Sequence, residues 1–187
     1  MRTSPPQISR FRRWVGLVLL VVFFGIAIAF SVRRLQPYEV TSGSMSPTIL
    51  PGDRIVVYAR LNAVPKRGSI VAVRNPKDAD DMLCKRVVAV PGDEVEIRGG
   101  RFYLNGLRQD DERYVKTERM WAPDRPAHIL LGDEYFVLGD NREASMDSGE
   151  FGPVRARQII GVALCIYWPL GRIRSLRPPA DSGASAR

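Results

Sequence analysis

From Trp14 to Phe30 the sequence WVGLVLLVVFFGIAIAF carries no charge, and with Ser31 and Val32 the run reaches 19 residues. As a helix it measures roughly 28 Å, enough to cross the hydrocarbon core of a bilayer. The chain is therefore expected to divide into an N-terminal segment 1–13, an anchor 14–32, a folded domain 36–172 and a polar, disordered tail 173–187 with nothing to bury. Arg2, Arg10, Arg12 and Arg13 precede the run, against Arg33 and Arg34 after it. The positive-inside bias thus puts the N-terminus in the cytoplasm and the domain on the outer side, in a single pass. A second reading stays open: Ala27-Ile28-Ala29 has the small-x-small form of a cleavage site, as in a secretory signal clipped after Ala29, although the run exceeds the usual apolar core of about 7 to 15 residues. Both readings export the remainder.

That remainder has the means for one core, since 45% of the 187 residues are hydrophobic and 26% charged. The formal net charge of +8 is spread along the chain without a basic run of five or six, which argues against nucleic acid and leaves two equal readings, compatibility with a membrane surface or simply an arginine-rich composition. Basic residues are overwhelmingly arginine, 24 against four lysines. Cys84 and Cys165 both fall in apolar strand-like runs and read as core thiols. Two cysteines, one histidine and no Gly-rich phosphate loop imply neither metal nor cofactor.

Beyond residue 36, short apolar or alternating segments separated by Gly, Pro, Asp and Asn predict a mostly β domain. Strands are expected at Arg54 to Tyr58, Ser69 to Val73, Leu83 to Val90, Glu94 to Arg98, Arg101 to Leu104, Glu134 to Leu138 and Gln158 to Trp168. Turns fall at Pro51-Gly52-Asp53, Pro91-Gly92-Asp93, Gly132-Asp133 and Gly139-Asp140-Asn141. Gly99-Gly100 marks the clearest hairpin. Residues 106–128 read as an exposed excursion, and no internal repeat is evident.

The chemistry begins in Val40-Thr41-Ser42-Gly43-Ser44-Met45-Ser46-Pro47-Thr48, a cluster of hydroxyls about a glycine that by itself fits an ordinary Ser-rich loop. A serine nucleophile needs a base, and the single histidine, His128, lies in a proline-containing stretch that suits a surface residue better than a triad member. Lysine serves as a base only when neutral, a state that burial favours. Alternation in Met82-Leu83-Cys84-Lys85-Arg86-Val87-Val88-Ala89 puts Leu83, Lys85, Val87 and Ala89 on one face, so Lys85 projects from an apolar surface. An arginine there would never deprotonate, and the rarity of lysine in this chain makes the choice informative. The competing reading is a strand-edge lysine with its ammonium in water.

SGSMSPT, PGDRIVV, KRVVAVPGD and GDNREASMDS together resemble, in order, the conserved boxes of the type I bacterial signal peptidases, a likeness spanning roughly residues 14 to 170 and the closing IYWPLGRIR. The resemblance implies a coiled, β-barrel-like catalytic domain with one N-terminal transmembrane helix, lying outside the bacterial cytoplasmic membrane, with the family's second β domain reduced to an insertion at 99–130. It further implies a serine endopeptidase acting on the signal peptides of exported preproteins, with membrane lipid and the secretion machinery as further partners. By the same resemblance Ser44 is the nucleophile and Lys85 the general base. Ser42 joins the Ser44 N–H in the oxyanion hole, and Ser145 orients the lysine amine. Asp140, Asn141, Arg142 and Asp147 brace the site, with Arg86 paired to one of the acids.

One departure stands out: the family usually carries an arginine two residues after the aspartate of the last box, whereas Asp147-Ser148 is followed here by Gly149. Either Arg155 or Arg157 takes its place or the loop is arranged differently. Val40, Ile49 and Cys84 are expected to line shallow apolar pockets for small residues before the cut, Cys84 enlarging one of them. Met45 and Trp168 are candidates for an apolar rim at the lipid surface, with core packing the alternative, favoured for Trp168. Competing functions are a peptidase dedicated to one conjugation or pilus protein and an inactive domain that only binds extracytoplasmic peptides.

Overall fold

The structure, a computed structural model, describes residues 8–32, 34–59, 64–78, 80–109, 115 and 119–178. It falls into two units, Met1–Leu35 and Gln36–Arg187. The first consists of helix α1 (Ile8–Val32), whose apolar side chains from Trp14 to Phe24 are exposed. Among the described residues no helix is long and apolar enough to cross a membrane. The expected anchor lies on α1, but the side chains at 26, 27 and 29–32, which include most of the small-x-small stretch, lie outside the described residues, as do residues 1–7 and 179–187.

The second unit is mostly β. Its strands are β1 (Leu35–Glu39), β2 (Arg54–Ala59), β3 (Ile70–Arg74), β4 (Met82–Ala89), β5 (Glu94–Arg98), β6 (Arg101–Leu104), β7 (Leu107–Arg108), β8 (Arg125–Ile129), β9 (Glu134–Leu138), β10 (Val154–Arg155), β11 (Ile159–Trp168) and β12 (Arg174–Ser175). A larger sheet runs in the order β1-β2-β11-β3-β4-β9-β10, with β12 added to β11, and a smaller one runs β7-β6-β5-β8. The long strand β11 pairs antiparallel with both β2 and β3, and its register shifts after Ala163, after Ile166 and after Ile159. A further shift follows Val87 in the pairing of β4 with β9. Such bulges bend and twist the strands that carry them, and the larger sheet curls into a half-barrel.

Alternating burial within β2, β5 and β6 follows from the period-two pattern of their sequences. The central strand β3 is buried on both faces until its last residue, as expected of a run of Val, Ile and Ala between two neighbours. Three apolar clusters result: one joins Met45, Ile49, Ile55, Val57 and Ile166; a second joins Ile97, Phe102, Leu130, Phe136 and Leu138; a third joins Val71, Val73, Val87, Val137 and Val154.

Both Pro-Gly-Asp turns use the same device. The Asp53 carboxylate accepts the Leu50 N–H and is gripped by Arg172, while Asp93 accepts the Val90 N–H and is gripped by Arg67. At the β5-β6 hairpin Gly99 and Gly100 have φ of 59° and 70°, values that a Cβ would penalise.

Two expectations need correction, and one element was not anticipated. The excursion 106–128 is not wholly irregular: Leu107–Arg108 and Arg125–Ile129 form the outer strands of the smaller sheet, too short or too proline-marked to show alternation. The tail does not begin at 173, because β12 pairs with β11 and Leu176 is buried in the first cluster. Apart from α1, a four-residue helix α2 (Ser148–Phe151) is present, set by its cap rather than by apolar periodicity.

Candidate active site

The turn containing Ser44 is pinned from inside and outside. Met45 and Ile49 are almost completely buried in the first cluster, Ser46 N–H bonds Gly43 O at 3.1 Å and Ile49 N–H bonds Met45 O at 2.9 Å. Across the chain, Asn141 N–H donates to Ser44 O at 3.0 Å and its side-chain amide to Gly43 O at 3.3 Å. Met45 is thus an anchor of the turn, not a residue at a lipid rim. Trp168 shows the reverse, being 48% exposed where core packing was favoured.

β4 delivers Lys85 to this turn. Its Nζ donates to Ser44 Oγ at 2.7 Å, and the side chain is 2% exposed in the middle of the sheet, opposite Val71. Burial drives the amine below the ordinary lysine pKa, while the charge of Asp147, with lesser contributions from Cys84, Asp81 and Asp140, pulls the other way. Ser42 Oγ lies 3.2 Å from Ser44 Oγ. Among the described residues the Ser44 N–H donates no hydrogen bond, so it is available to an incoming oxygen.

Arg86, the next residue of β4, forms a buried bidentate pair with Asp140, Nε to Oδ1 at 2.8 Å and Nη2 to Oδ2 at 2.7 Å. Its Nη1 also donates to Gly68 O at 2.9 Å, and the Thr48 hydroxyl donates to Asp140. Thr48 thereby ties the end of the nucleophile turn to the Arg86 pair; the quoted motif contained it, but a hydroxyl flanked by other hydroxyls carried no distinguishing sign. Arg142 Nε bonds Gly139 O at 3.0 Å.

Asp147 caps α2. Its Oδ2 accepts Gly139 N–H and its Oδ1 accepts Gly149 N–H, each at 2.9 Å. Burial raises its carboxyl above the usual carboxylate range, against the N–H of Gly139, the Ser145 hydroxyl, the N–H of Gly149 and the Lys85 charge. Ser145 Oγ is buried near enough to influence Asp147, yet it meets no partner at hydrogen-bonding geometry, so the expected bond to the Lys85 amine is not made here. Nor does Arg155 substitute for the missing arginine: it pairs with Asp133, and Arg157 is exposed. Sequence reasoning also overlooked Ser148, whose buried hydroxyl accepts Val137 N–H at 3.0 Å.

The expected pocket residues divide. Val40 and Ile49 are buried members of the first cluster, so Ile49 packs the core instead of facing an open pocket. Cys84 is half-buried against that cluster, and burial pushes its thiol up to about 12. Both cysteines are free thiols. A cavity of about 220 Å³ lies instead by the smaller sheet, lined by Val95, Ile97, Arg125, Pro126, His128 and Phe136. His128 faces Glu134 at 3.2 Å, not a serine. Among the described residues no cluster of His, Cys, Asp or Glu has the arrangement that holds a metal ion.

Gly139 is the point where the site closes on itself. A Cβ there would stand 2.3 Å from Ser145 Oγ and 2.5 Å from Ser44 O, and the backbone oxygen cannot yield without moving the serine. Gly139→Ala is expected to lower kcat about a hundredfold while the fold survives, because displacing a reacting group by about 1 Å costs that much. Activity above half of wild type in a folded Gly139→Ala protein contradicts the close approach.

A serine hydroxyl bonded to a buried amine, beside an unengaged N–H, is an arrangement that can attack a carbonyl. The family model "Signal peptidase, peptidase S26" matches residues 11–168. The chain is 32% identical over 174 residues to signal peptidase I P of Bacillus subtilis subsp. natto, covering 86% of this chain and 91% of that one. It is 36% identical over 169 residues to signal peptidase I of Leptolyngbya laminosa, covering 82% and 80%. A solved signal peptidase I from Enterococcus faecalis overlaps 54% of this chain and 97% of its own at 30% identity, with a TM-score of 0.43. With a family match over most of its length and relatives above 30% identity along four-fifths or more of their own chains, the protein belongs to the signal peptidase family, peptidase S26, and is a serine protease.

Proposed function

We propose that this protein is a membrane-bound endopeptidase that removes N-terminal signal peptides from exported preproteins at small-x-small sites, through an acyl-enzyme on Ser44 with Lys85 as general base. The observation that carries the reading is the 2.7 Å bond between the Lys85 amine and Ser44 Oγ, at a lysine whose burial lowers its pKa from the ordinary value.

The neutral amine takes the proton of Ser44 as its oxygen attacks the scissile carbonyl carbon. The oxyanion is held by the Ser44 N–H and the Ser42 hydroxyl, donors worth about 3 to 4 kcal/mol each in such sites. The Lys85 ammonium returns the proton to the leaving amine, the C–N bond breaks, and the signal peptide remains as an ester on Ser44. Neutral again, Lys85 deprotonates a water that hydrolyses the ester, freeing Ser44 Oγ and the new carboxylate. Ser145 serves as the amine's second partner after a rotation of its buried, unpartnered hydroxyl. Arg86, Asp140, Asn141, Arg142 and Asp147 hold the two catalytic side chains in register.

Membrane attachment is assigned to the uncharged run 14–32, whose apolar side chains from Trp14 to Phe24 are exposed and so favour an apolar surrounding. The flanking arginines favour a cytoplasmic N-terminus and an extracytoplasmic catalytic domain.

The test is cleavage of a preprotein with an Ala-x-Ala site by the detergent-solubilised full chain, with the new N-terminus read by mass spectrometry and the pH profile recorded. Only neutral Lys85 acts as base, so kcat/KM should rise as pH rises through the Lys85 pKa, and that limb should lie below 10.5, the ordinary lysine value. A limb at the ordinary lysine value, or cleavage away from small-x-small positions, refutes the proposal.

A further inference from the structure

Asp147, the acid with the largest electrostatic effect on Lys85, depends on the turn that follows it. Its Oδ1 is held by the N–H of Gly149, inside the four-residue helix α2. A helix this short has no stability of its own and must be held by its surroundings. Ser148 fixes one side through Val137. The other side is held from the smaller sheet: Arg125, on β8, donates from Nε to Gly149 O at 2.8 Å and from Nη2 to Glu150 O at 2.7 Å. Carbonyls near a helix C-terminus lack intrahelical partners and carry partial negative charge, so one planar guanidinium on two of them is a strong clamp.

Packing closes the same joint. A Cβ at Gly149 would stand 2.9 Å from both Ala122 Cβ and Met120 Cε. The segment leading into β8 therefore lies directly on the backbone that carries the Gly149 N–H. An arginine side chain has no room at position 149, and a guanidinium arrives from position 125 instead.

We infer that Arg125 is a positioning residue for the dyad: by clamping the Gly149 and Glu150 carbonyls it holds the Gly149 N–H on Asp147, and so fixes that carboxylate's influence on Lys85. The inference rests on the Ser44/Lys85 reading. The smaller sheet then has a task in catalysis, although among its described residues none touches the dyad. Among the described residues, the groups acting on the Lys85 amine are Ser44, Asp147, Cys84, Asp81 and Asp140. Of the carboxylates, only Asp147 is tied to the smaller sheet through the Gly149 turn. Without Arg125, Asp147 loses a firm N–H donor and its charged form is less favoured, which weakens its hold on the Lys85 proton. The amine then stays neutral to lower pH but sits in a looser frame.

The experiment measures kcat, KM and the pH profile of preprotein cleavage for the full chain as wild type, Arg125→Ala, Arg125→Lys, Arg98→Ala and Lys85→Ala. Arg98 lies on β5 of the same sheet with its side chain exposed beside Glu96, and Arg98→Ala should match wild type. Arg125→Ala should lose about tenfold in kcat with KM within about twofold, and its acid limb should move to lower pH. Arg125→Lys keeps the charge without the planar fork and should fall between the two. If Arg125→Ala does not fold, the limb of Arg125→Lys decides. Unchanged kcat and limb, or a loss confined to KM or thermal stability, overturns the inference while leaving the dyad intact. An active Lys85→Ala protein removes the dyad reading, and this inference with it.

Discussion

Lys85→Ala should yield a folded protein that cleaves preprotein at least about 10⁴-fold more slowly than wild type, the upper range of general-base catalysis. Ser44→Ala should lose as much, and the double variant no more than either, because the two side chains act on one proton and their contributions cannot add. Lys85→Arg should be as inactive as the alanine variant, since a guanidinium does not give up its proton. The same geometry makes a prediction of opposite sign for stability. Lys85 is among the largest fully buried side chains of the described residues, and burial penalises its charged form. Lys85→Met keeps the volume and removes the desolvation cost, so the inactive Lys85→Met protein should resist denaturant as well as or better than wild type. Lys85→Ala instead leaves a cavity and should be less stable. Near-wild-type cleavage by Lys85→Arg would end the assignment of Lys85 as base, and a strongly destabilised Lys85→Met would mean that the amine contributes more through its bonds than it costs by burial.

The parts of this architecture visible in the sequence are those that local chemistry determines. Strands Glu94–Arg98, Arg101–Leu104 and Glu134–Leu138 have the expected bounds because turn residues flank each one, and the Gly99-Gly100 hairpin follows from the φ values it needs. The burial of Lys85 was legible because a lone lysine in an apolar alternating run has few explanations. What stayed hidden depends on partners distant in the chain. Strand β8 contains a proline and is mostly exposed, so nothing local marks it; it exists by pairing with β5. Met45 and Ile49 looked like surface or pocket residues because nothing in a hydroxyl-rich loop announces that its two apolar side chains anchor the turn. Ser148 and Arg125 take their places from contacts that no spacing rule contains. The two Pro-Gly-Asp turns are an intermediate case: the turns were evident, but the arginines that grip them lie 119 and 26 residues away.

Asp140→Ala should destabilise the protein by about 3 to 5 kcal/mol, the usual cost of leaving one member of a buried ion pair without its partner. Asp140 is 1% exposed and receives both Nε and Nη2 of Arg86. Removing the carboxylate takes two charge-assisted bonds from that guanidinium and strips the Thr48 hydroxyl of its acceptor. For a domain whose whole stability is of the order of 5 to 15 kcal/mol, such a loss is large. The damage should reach catalysis as well, because Arg86 follows Lys85 on β4, Thr48 ends the nucleophile turn, and Asp140 stands between Gly139 and Asn141, both of which touch that turn. Asp140→Asn retains the shape and one acceptor and should lose less on both counts. The decisive comparison is the double variant Arg86→Met, Asp140→Leu. If the pair's main energetic feature is mutual compensation of two desolvated charges, the apolar double variant should regain most of the stability that Asp140→Ala loses. Its cleavage rate should stay low, because apolar side chains cannot hold Thr48 and the backbone around Gly68 in place. Denaturant unfolding and preprotein cleavage of the same three variants separate these effects. A loss below about 1 kcal/mol in Asp140→Ala would place the pair in the range of an exposed salt bridge and contradict its burial.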